Sequence, residues 1–81
     1  MGEKGVIYAL HENYTTQVEY DASNNPIYIG DAVTGTATSA AAWRIKKITY
    51  DASNNPTGIQ WADGSTKFDK VWDDRTTYSY S

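Results

Sequence analysis

The feature that most constrains the fold is an internal repeat. The heptad YDASNNP at residues 20–26 recurs letter for letter at residues 50–56, an offset of 30 residues. The match extends beyond the heptad, since Val18 corresponds to Ile48. A period of this size indicates a duplicated supersecondary unit, and two copies are too few for a solenoid. The chain is therefore predicted to contain one structural unit twice.

Each copy of the repeat has the pattern of a β-hairpin. Apolar and polar residues alternate on both sides of the heptad, as in strands with one buried face. Within the heptad, the aspartate can accept backbone N–H groups, the first asparagine tolerates a left-handed conformation, and the proline suits the start of a strand. The pattern predicts hairpins over residues 14–32 and 44–62. The side chains expected to face the core are Val18, Tyr20, Ile27, Ile29, Ile48, Tyr50, Ile59, Trp43, Trp61 and Trp72.

The segments outside the hairpins complete a small meander. They are predicted to form a short strand over 5–10, a flexible loop over 33–41, one helical turn near 68–72 and a closing strand over 76–80. In the strand that begins at Trp43, the alternation changes phase at Lys46-Lys47, which predicts a β-bulge. The chain is therefore predicted to be all-β. It is predicted to form a single domain over residues 1–81, an antiparallel meander of about six strands arranged as a sandwich or a barrel.

Composition supports this fold class. The 81 residues include only 12 Ile, Val, Leu and Phe, but also seven tyrosines and three tryptophans, so a small core can be built from rings. With no cysteine, disulfides and thiolate metal sites are excluded. The net charge of −3 makes nucleic acid an unfavoured partner, and no apolar run is long enough to span a membrane.

The repeated turn also resembles the opening of a calcium loop, with oxygen-bearing side chains at Asp21, Ser23 and Asn25. A calcium loop needs a glycine at its sixth position and a bidentate glutamate at its twelfth. Those positions hold Pro26 and Ala32. The pattern therefore favours a plain hairpin turn, and no metal is predicted.

No residue pattern indicates catalysis or a cofactor. The acidic residues near the C-terminus alternate with basic ones, which is typical of exposed ion pairs. The single histidine, His11, falls in a predicted turn without a nucleophile motif, and the glycines form no phosphate-binding loop. Arg44, Lys46 and Lys47 make a basic patch, for which an exposed strand face is favoured over nucleic-acid binding, and an ion pair with an acidic partner suits Arg44 best. The chain is predicted not to be an enzyme.

The tyrosines are too numerous for so small a core, and exposed rings are typical of contact surfaces. Half-buried positions at the edges of the sheet are the alternative. A protein partner is the favoured use of the exposed rings, and a carbohydrate surface is a further one. The residues predicted to contact a partner are Tyr8, Tyr14, Tyr28, Thr36, Thr38, Arg44, Tyr78 and Tyr80.

Four stretches of residues 28–81 carry a resemblance to short proteins that recur in tailed-bacteriophage genomes. They are YIGDA at 28–32, WRIKKITYD at 43–51, WADG at 61–64 and FDKVWDDR at 68–75. The resemblance implies a structural component of the virion, made in the host cytoplasm, with coat protein or other virion proteins as partners and self-association as a possibility. Capsid decoration, as a cement protein that binds coat subunits, is the role it favours. The alternatives are a head–tail junction or tail-associated protein, and a carbohydrate- or host-surface-binding module that uses rings such as Tyr28, Trp61 or Tyr78.

Overall fold

The protein folds into one open antiparallel sheet backed by a short helix. The computed structural model describes residues 13–81. Its elements are β1 (Tyr14–Tyr20), β2 (Pro26–Val33), β3 (Ala41–Tyr50), β4 (Pro56–Trp61), β5 (Lys70–Val71) and a 3₁₀ helix (Trp72–Thr77). The strand order is β1-β2-β3-β4, with β5 paired to the start of β3. The predicted all-β antiparallel meander is confirmed, and within residues 13–81 its two end strands do not pair with each other.

The two copies of the repeat form β1–β2 and β3–β4 with the same register. Val18 lies opposite Ile29 in the first hairpin, and Ile48 lies opposite Ile59 in the second. Both hairpins shift register at the residue before the tyrosine of the heptad. The sequence repeat is therefore a structural repeat, as predicted.

The two turns have the same geometry and lie side by side. In the first, Asp21 Oδ1 accepts the backbone N–H groups of Ser23 and Asn25 at 2.8 and 2.9 Å. Asp51 does the same in the second turn, at 2.9 Å for both bonds. The first asparagine of each turn has a φ of 64°, in the left-handed region that asparagine tolerates better than most residues.

The core lies between one face of the sheet, named here the core face, and the C-terminal segment. Trp43 and Ile45 of β3 are fully buried, and Trp72 of the 3₁₀ helix packs against Trp43 with ring centroids 6.1 Å apart. The Trp43 indole donates to the carbonyl of Ala37 at 2.9 Å, which ties the preceding loop to the core. Gly30 lies directly beneath Trp72, where a Cβ would come within 2.6 Å of the indole ring.

The prediction of which side chains face the core is wrong on inner and outer strands alike. The predicted core residues that lie on the face opposite Trp43 and Ile45 are Val18, Ile29, Ile48, Ile59 and Trp61. Val18, Tyr20 and Ile59 are 38%, 58% and 59% exposed, whereas Tyr28 is buried at 9% exposure. Alternation gives the period of a strand but does not say which of its faces will be covered. The covering element is the segment that carries Trp72, and it lies on the side to which Tyr28 points.

Three local predictions also need correction. The helical turn expected near 68–72 is present but begins later, at Trp72. It runs to Thr77, so it takes the place of the first two residues of the closing strand expected over 76–80. Only Tyr80 in that stretch forms a bridge, to Ala62. The bulge expected at Lys46-Lys47 is absent, because β3 pairs continuously there and Ile48 lies on the opposite face from Ile45.

Further predictions concern the N-terminal segment and the loop between β2 and β3. The predicted strand over 5–10 and the contact residue Tyr8 lie outside the described residues. The predicted loop over 33–41 is shorter by one residue at each end, because Val33 belongs to β2 and Ala41 to β3. Its flexibility stays a prediction.

Candidate contact face

The sheet has a second face, opposite the core face and named here the open face. Strand pairing assigns to it the side chains of Tyr14, Thr16, Val18, Ile29, Asp31, Val33, Arg44, Lys46, Ile48, Ile59 and Trp61. Phe68, from the segment before β5, stacks on its edge. Tyr14, Val18, Val33, Ile59 and Phe68 are all more than a third exposed. The open face therefore presents most of the exposed large apolar side chains found among residues 13–81.

An apolar band crosses the open face from β1 to β4. It consists of Val18, Ile29, Ile48 and Ile59, the residues that occupy matching positions in the two hairpins. The inner pair, Ile29 and Ile48, is half-buried, and the outer pair is exposed. Burial of such side chains by a partner is favourable by roughly 25 cal/mol per Å² of apolar surface.

Beside the apolar band lies a row of stacked rings and cations, named here the stacked row: Tyr14, Phe68, Arg44, Trp61 and Lys46. The Tyr14 and Phe68 rings are nearly parallel, with centroids 5.6 Å apart. The Arg44 guanidinium lies over Phe68 at 4.7 Å and over Trp61 at 5.6 Å. Lys46 Nζ also lies 5.6 Å from the Trp61 ring. The row combines positive charge with flat apolar surface, which suits contact with an apolar surface that carries carboxylates.

Arg44 is held in place within the chain. Its guanidinium forms an ion pair with Asp31 at 3.3 Å, and Thr16 Oγ1 donates to the other oxygen of that carboxylate at 2.8 Å. Within residues 13–81, Arg44 Nε has no hydrogen-bond partner. Arg44 is thus half-buried and oriented by Asp31, and its role toward an acidic partner stays a prediction.

Of the tyrosines within residues 13–81 that are predicted to contact a partner, only Tyr14 lies on the open face. Tyr28 belongs to the core, so the expectation that it is a surplus exposed ring is wrong. Tyr78 and Tyr80 are half-buried and pack against the core. Tyr78 Oη accepts the N–H of Val71 at 2.8 Å, and Tyr80 Oη donates to the carbonyl of Arg75 at 2.7 Å. Burial raises the pKa of Tyr80, which keeps this phenol protonated. The hydroxyl groups of these two tyrosines hold the C-terminal segment in position.

Thr36 and Thr38, in the loop between β2 and β3, are half-buried. The N–H of Thr36 donates to the carbonyl of Val33 at 3.0 Å, and the carbonyl of Thr38 accepts the N–H of Asp73 at 3.1 Å. These bonds connect the loop to β2 and to the 3₁₀ helix. Thr36 and Thr38 lie away from the open face, and their contact with a partner stays a prediction.

Sequence reasoning missed Phe68, Val18 and Ile59 as surface residues. The matching positions of Val18 and Ile59 in the two repeats indicate that they share a face. Nothing in the pattern says that this face is the uncovered one. Phe68, Val71 and Trp72 have the spacing of one helical turn, which predicts that Phe68 belongs to the helix. The helix begins only at Trp72, so Phe68 lies outside it.

The turn end of the molecule has its own electrostatics. The backbone N–H of Asn55 holds the pKa of Asp51 below its ordinary value. Both oxygens of the Asp51 carboxylate accept hydrogen bonds from residues of the turn itself. Near β5, the Lys70 ammonium lowers the pKa of Asp69 through a bond of 2.5 Å.

The part of the chain from residue 13 to residue 81 contains no enclosed cavity and no group of three acidic or histidine side chains placed to hold a metal ion. No helix in that part has the length and apolar character needed to cross a bilayer. Comparisons of the chain with protein-family models, with curated proteins and with solved structures give no match.

Proposed function

We propose that this chain is a non-enzymatic structural protein of a phage virion, and that it decorates the capsid by binding coat subunits through its open face. The observation that carries the proposal is the concentration of exposed apolar side chains on that face, with Ile59 59% and Tyr14 47% exposed. Contiguous exposed apolar surface on a small protein is typical of an interaction site. The resemblance of residues 28–81 to short phage proteins supplies the biological setting.

The chemistry of the open face describes the expected partner surface. The apolar band requires a matching apolar patch, and the stacked row favours carboxylates near its edge because Arg44 and Lys46 lie there. Rings held flat by neighbouring cations lose little freedom on binding, which favours their use as anchors. A coat subunit with an acidic rim around an apolar patch is the partner that this face fits.

The experiment that tests the proposal is quantitative mass spectrometry of gradient-purified virions that carry this chain. Decoration predicts a copy number comparable to that of the coat protein. A count of at most about twelve per particle, as at a symmetric neck or tail ring, would replace decoration by a head–tail junction or tail role. Absence from purified particles would contradict every virion role.

A second candidate function is binding of a carbohydrate or host surface. The observation that favours it is the half-buried Trp61 ring, which lies beside the exposed Phe68 on the open face. Aromatic faces of this kind can stack on sugar rings. Selective binding on a glycan array that disappears in Trp61→Ala would support this function, and a flat array response would remove it. Tyr28 and Tyr78, expected as further platforms, are unsuited because they pack in or against the core.

A further inference from the structure

We propose that copies of this chain associate head to tail, with β1 of one copy adding to the outer edge of β4 of the next. The chain would thereby continue its own internal repeat from one molecule to another. This inference concerns the edges of the sheet and goes beyond the proposed function, which concerns the open face. It rests on the interface that the two hairpins already form within one chain.

That internal interface has two specific contacts besides the pairing of β2 with β3. Tyr50 Oη donates to the carbonyl of Pro26 at 2.7 Å. Asn25 Nδ2 donates to Asn54 Oδ1 at 3.1 Å. Each contact joins a residue of the first heptad to one of the second. The first hairpin uses its β2 side, and the second hairpin uses its β3 side.

Each of the two contacts needs one residue from each hairpin. Because the heptads are identical, each hairpin contains both sets of contact residues but uses only one set within the chain. The first hairpin retains the equivalents of Tyr50 and Asn54, which are Tyr20 and Asn24. The second retains the equivalents of Pro26 and Asn25, which are Pro56 and Asn55. These four residues are all exposed, Tyr20 at 58%. A second copy placed by the same repeat step brings Tyr20 to the Pro56 carbonyl and Asn24 to Asn55.

The exposure of the residues in the apolar band also favours head-to-tail addition. Ile29 and Ile48 lie on the two strands that meet between the hairpins, and both are half-buried. Their repeat equivalents, Ile59 and Val18, lie on the outer strands and are 59% and 38% exposed. Head-to-tail addition places Val18 of one copy beside β4 of the next. The two exposed members of the band would then be covered as the inner members already are.

The charge distribution of the sheet also favours strand addition. Edge strands are commonly protected by charged side chains, lysine above all. Here Arg44, Lys46 and Lys47 lie on the inner strand β3, and β4 (PTGIQW) carries no charge. The one charged residue of β1, Glu19, is held by Arg75 at 2.6 Å. Among the described residues, the edge strands β1 and β4 carry no lysine or arginine. The inner strand β3, which needs no protection from strand addition, carries three of these residues.

The repeat defines the register of the expected pairing. Within the chain, Ile29 of β2 lies opposite Lys46 of β3. An offset of 30 residues in each strand places Ile59 of one copy opposite Thr16 of the next. The C-terminal Ser81 already pairs with Trp61, so the available edge of β4 lies before that residue. Because this contact joins two different surfaces, it repeats from copy to copy and gives a ring or a filament.

The test uses the absence of cysteine from the chain. Two full-length variants, Thr16→Cys and Ile59→Cys, each place one thiol on an exposed position. In the expected pairing the two Cα atoms come within about 5.5 Å, which a disulfide can span. The variants are mixed under mild oxidation, and a mixture of Thr16→Cys with Ser53→Cys, a turn position, serves as the control. Sedimentation velocity of the unmodified chain measures its mass as a function of concentration.

Head-to-tail association predicts that the Thr16→Cys and Ile59→Cys mixture yields mixed disulfide dimers roughly tenfold above the control, because pairing raises the effective thiol concentration. It also predicts that the sedimenting mass rises above 9.0 kDa with concentration. Self-linked dimers of either variant as the main product would show a symmetric contact and overturn the proposal. So would linkage no greater than that of the control mixture. None of these results bears on the copy number in virions, so the two proposals can fail separately.

Discussion

At the residue scale, the packing of the core depends on Gly30. Its position on β2 lies under the Trp72 indole, and a Cβ there would meet ring atoms at 2.6 and 2.9 Å and the Trp43 ring at 3.3 Å. Two packed indoles cannot move aside as the end of a flexible side chain can. The absence of a side chain at this one position therefore allows the 3₁₀ helix to lie against the sheet.

We expect Gly30→Ala to destabilise the fold by about 1–3 kcal/mol, the usual cost of overpacking a core. Gly58→Ala is the matched control, because its Cβ would meet only Thr49 Oγ1, at 3.1 Å, near a more exposed part of the sheet. Urea denaturation of both variants measures the difference. Equal free energies of unfolding for the two variants would contradict the packing described for Trp72.

The contribution of the Asp51 carboxylate to stability depends on pH. The N–H of Asn55 lowers the pKa of Asp51 in the folded chain below its ordinary value of 3.8. A lowered folded-state pKa means that the carboxylate contributes stability that is complete above the unfolded value and is lost as the pH falls through the folded value. Asp51→Asn keeps an acceptor oxygen but cannot titrate in this range.

The melting temperature of wild type relative to Asp51→Asn is therefore expected to fall as the pH is lowered from about 5 to about 2. Differential scanning calorimetry of both proteins across this range measures it. A difference that stays constant with pH would show that the Asp51 charge does not stabilise the turn.

At the scale of elements, the sequence predicted the hairpins but not their orientation. Period-2 alternation around Val18 and Ile48 predicts the strands, and the heptad predicts the turns that join them. The choice of face was not available from the pattern, because both faces of β2 carry apolar side chains: Ile29 on one, Tyr28 on the other. The position of the covering segment decides it.

The same limitation explains the errors in the contact residues. Tyr28, Tyr78 and Tyr80 were expected at the surface because the chain has more tyrosines than a small core accommodates. The excess is real, but the exposed tyrosines among residues 13–81 are Tyr14 and Tyr20. A hydroxyl with a carbonyl or N–H partner, as in Tyr80, allows a tyrosine to be packed against the core, and such partners are set by tertiary contacts that the pattern does not contain.

The repeat provides a matched pair of variants for the contact between hairpins. Tyr50→Phe removes the bond to the Pro26 carbonyl, whereas Tyr20→Phe alters an identical heptad position with 58% exposure. We expect Tyr50→Phe to lower the stability of the dilute chain by about 1 kcal/mol, or roughly 4–8 °C in melting temperature. Tyr20→Phe should leave the melting temperature unchanged. Equal effects of the two substitutions would mean that the bond to Pro26 does not join the hairpins.

At the scale of the whole molecule, the described part of the chain, residues 13–81, is elongated. Its principal extents are 50 × 24 × 21 Å, with the two turns adjacent and one sheet face covered by the C-terminal segment. A single sheet covered on one side keeps the apolar residues of its other side at the surface. The open face thus follows from the fold, and we propose that a virion partner covers it.

Rebinding to capsids that lack this chain tests that claim most directly. The purified protein is added to such particles in unmodified form, as Phe68→Ala in the stacked row, and as Ser53→Ala at a turn as the control, with melting temperatures measured to confirm folding. Phe68 is 38% exposed, so its removal takes contact area from the open face. The account predicts that Phe68→Ala binds capsids roughly tenfold or more weakly than the unmodified chain, with the control unchanged. Equal binding of all three proteins, or binding by none, would contradict it.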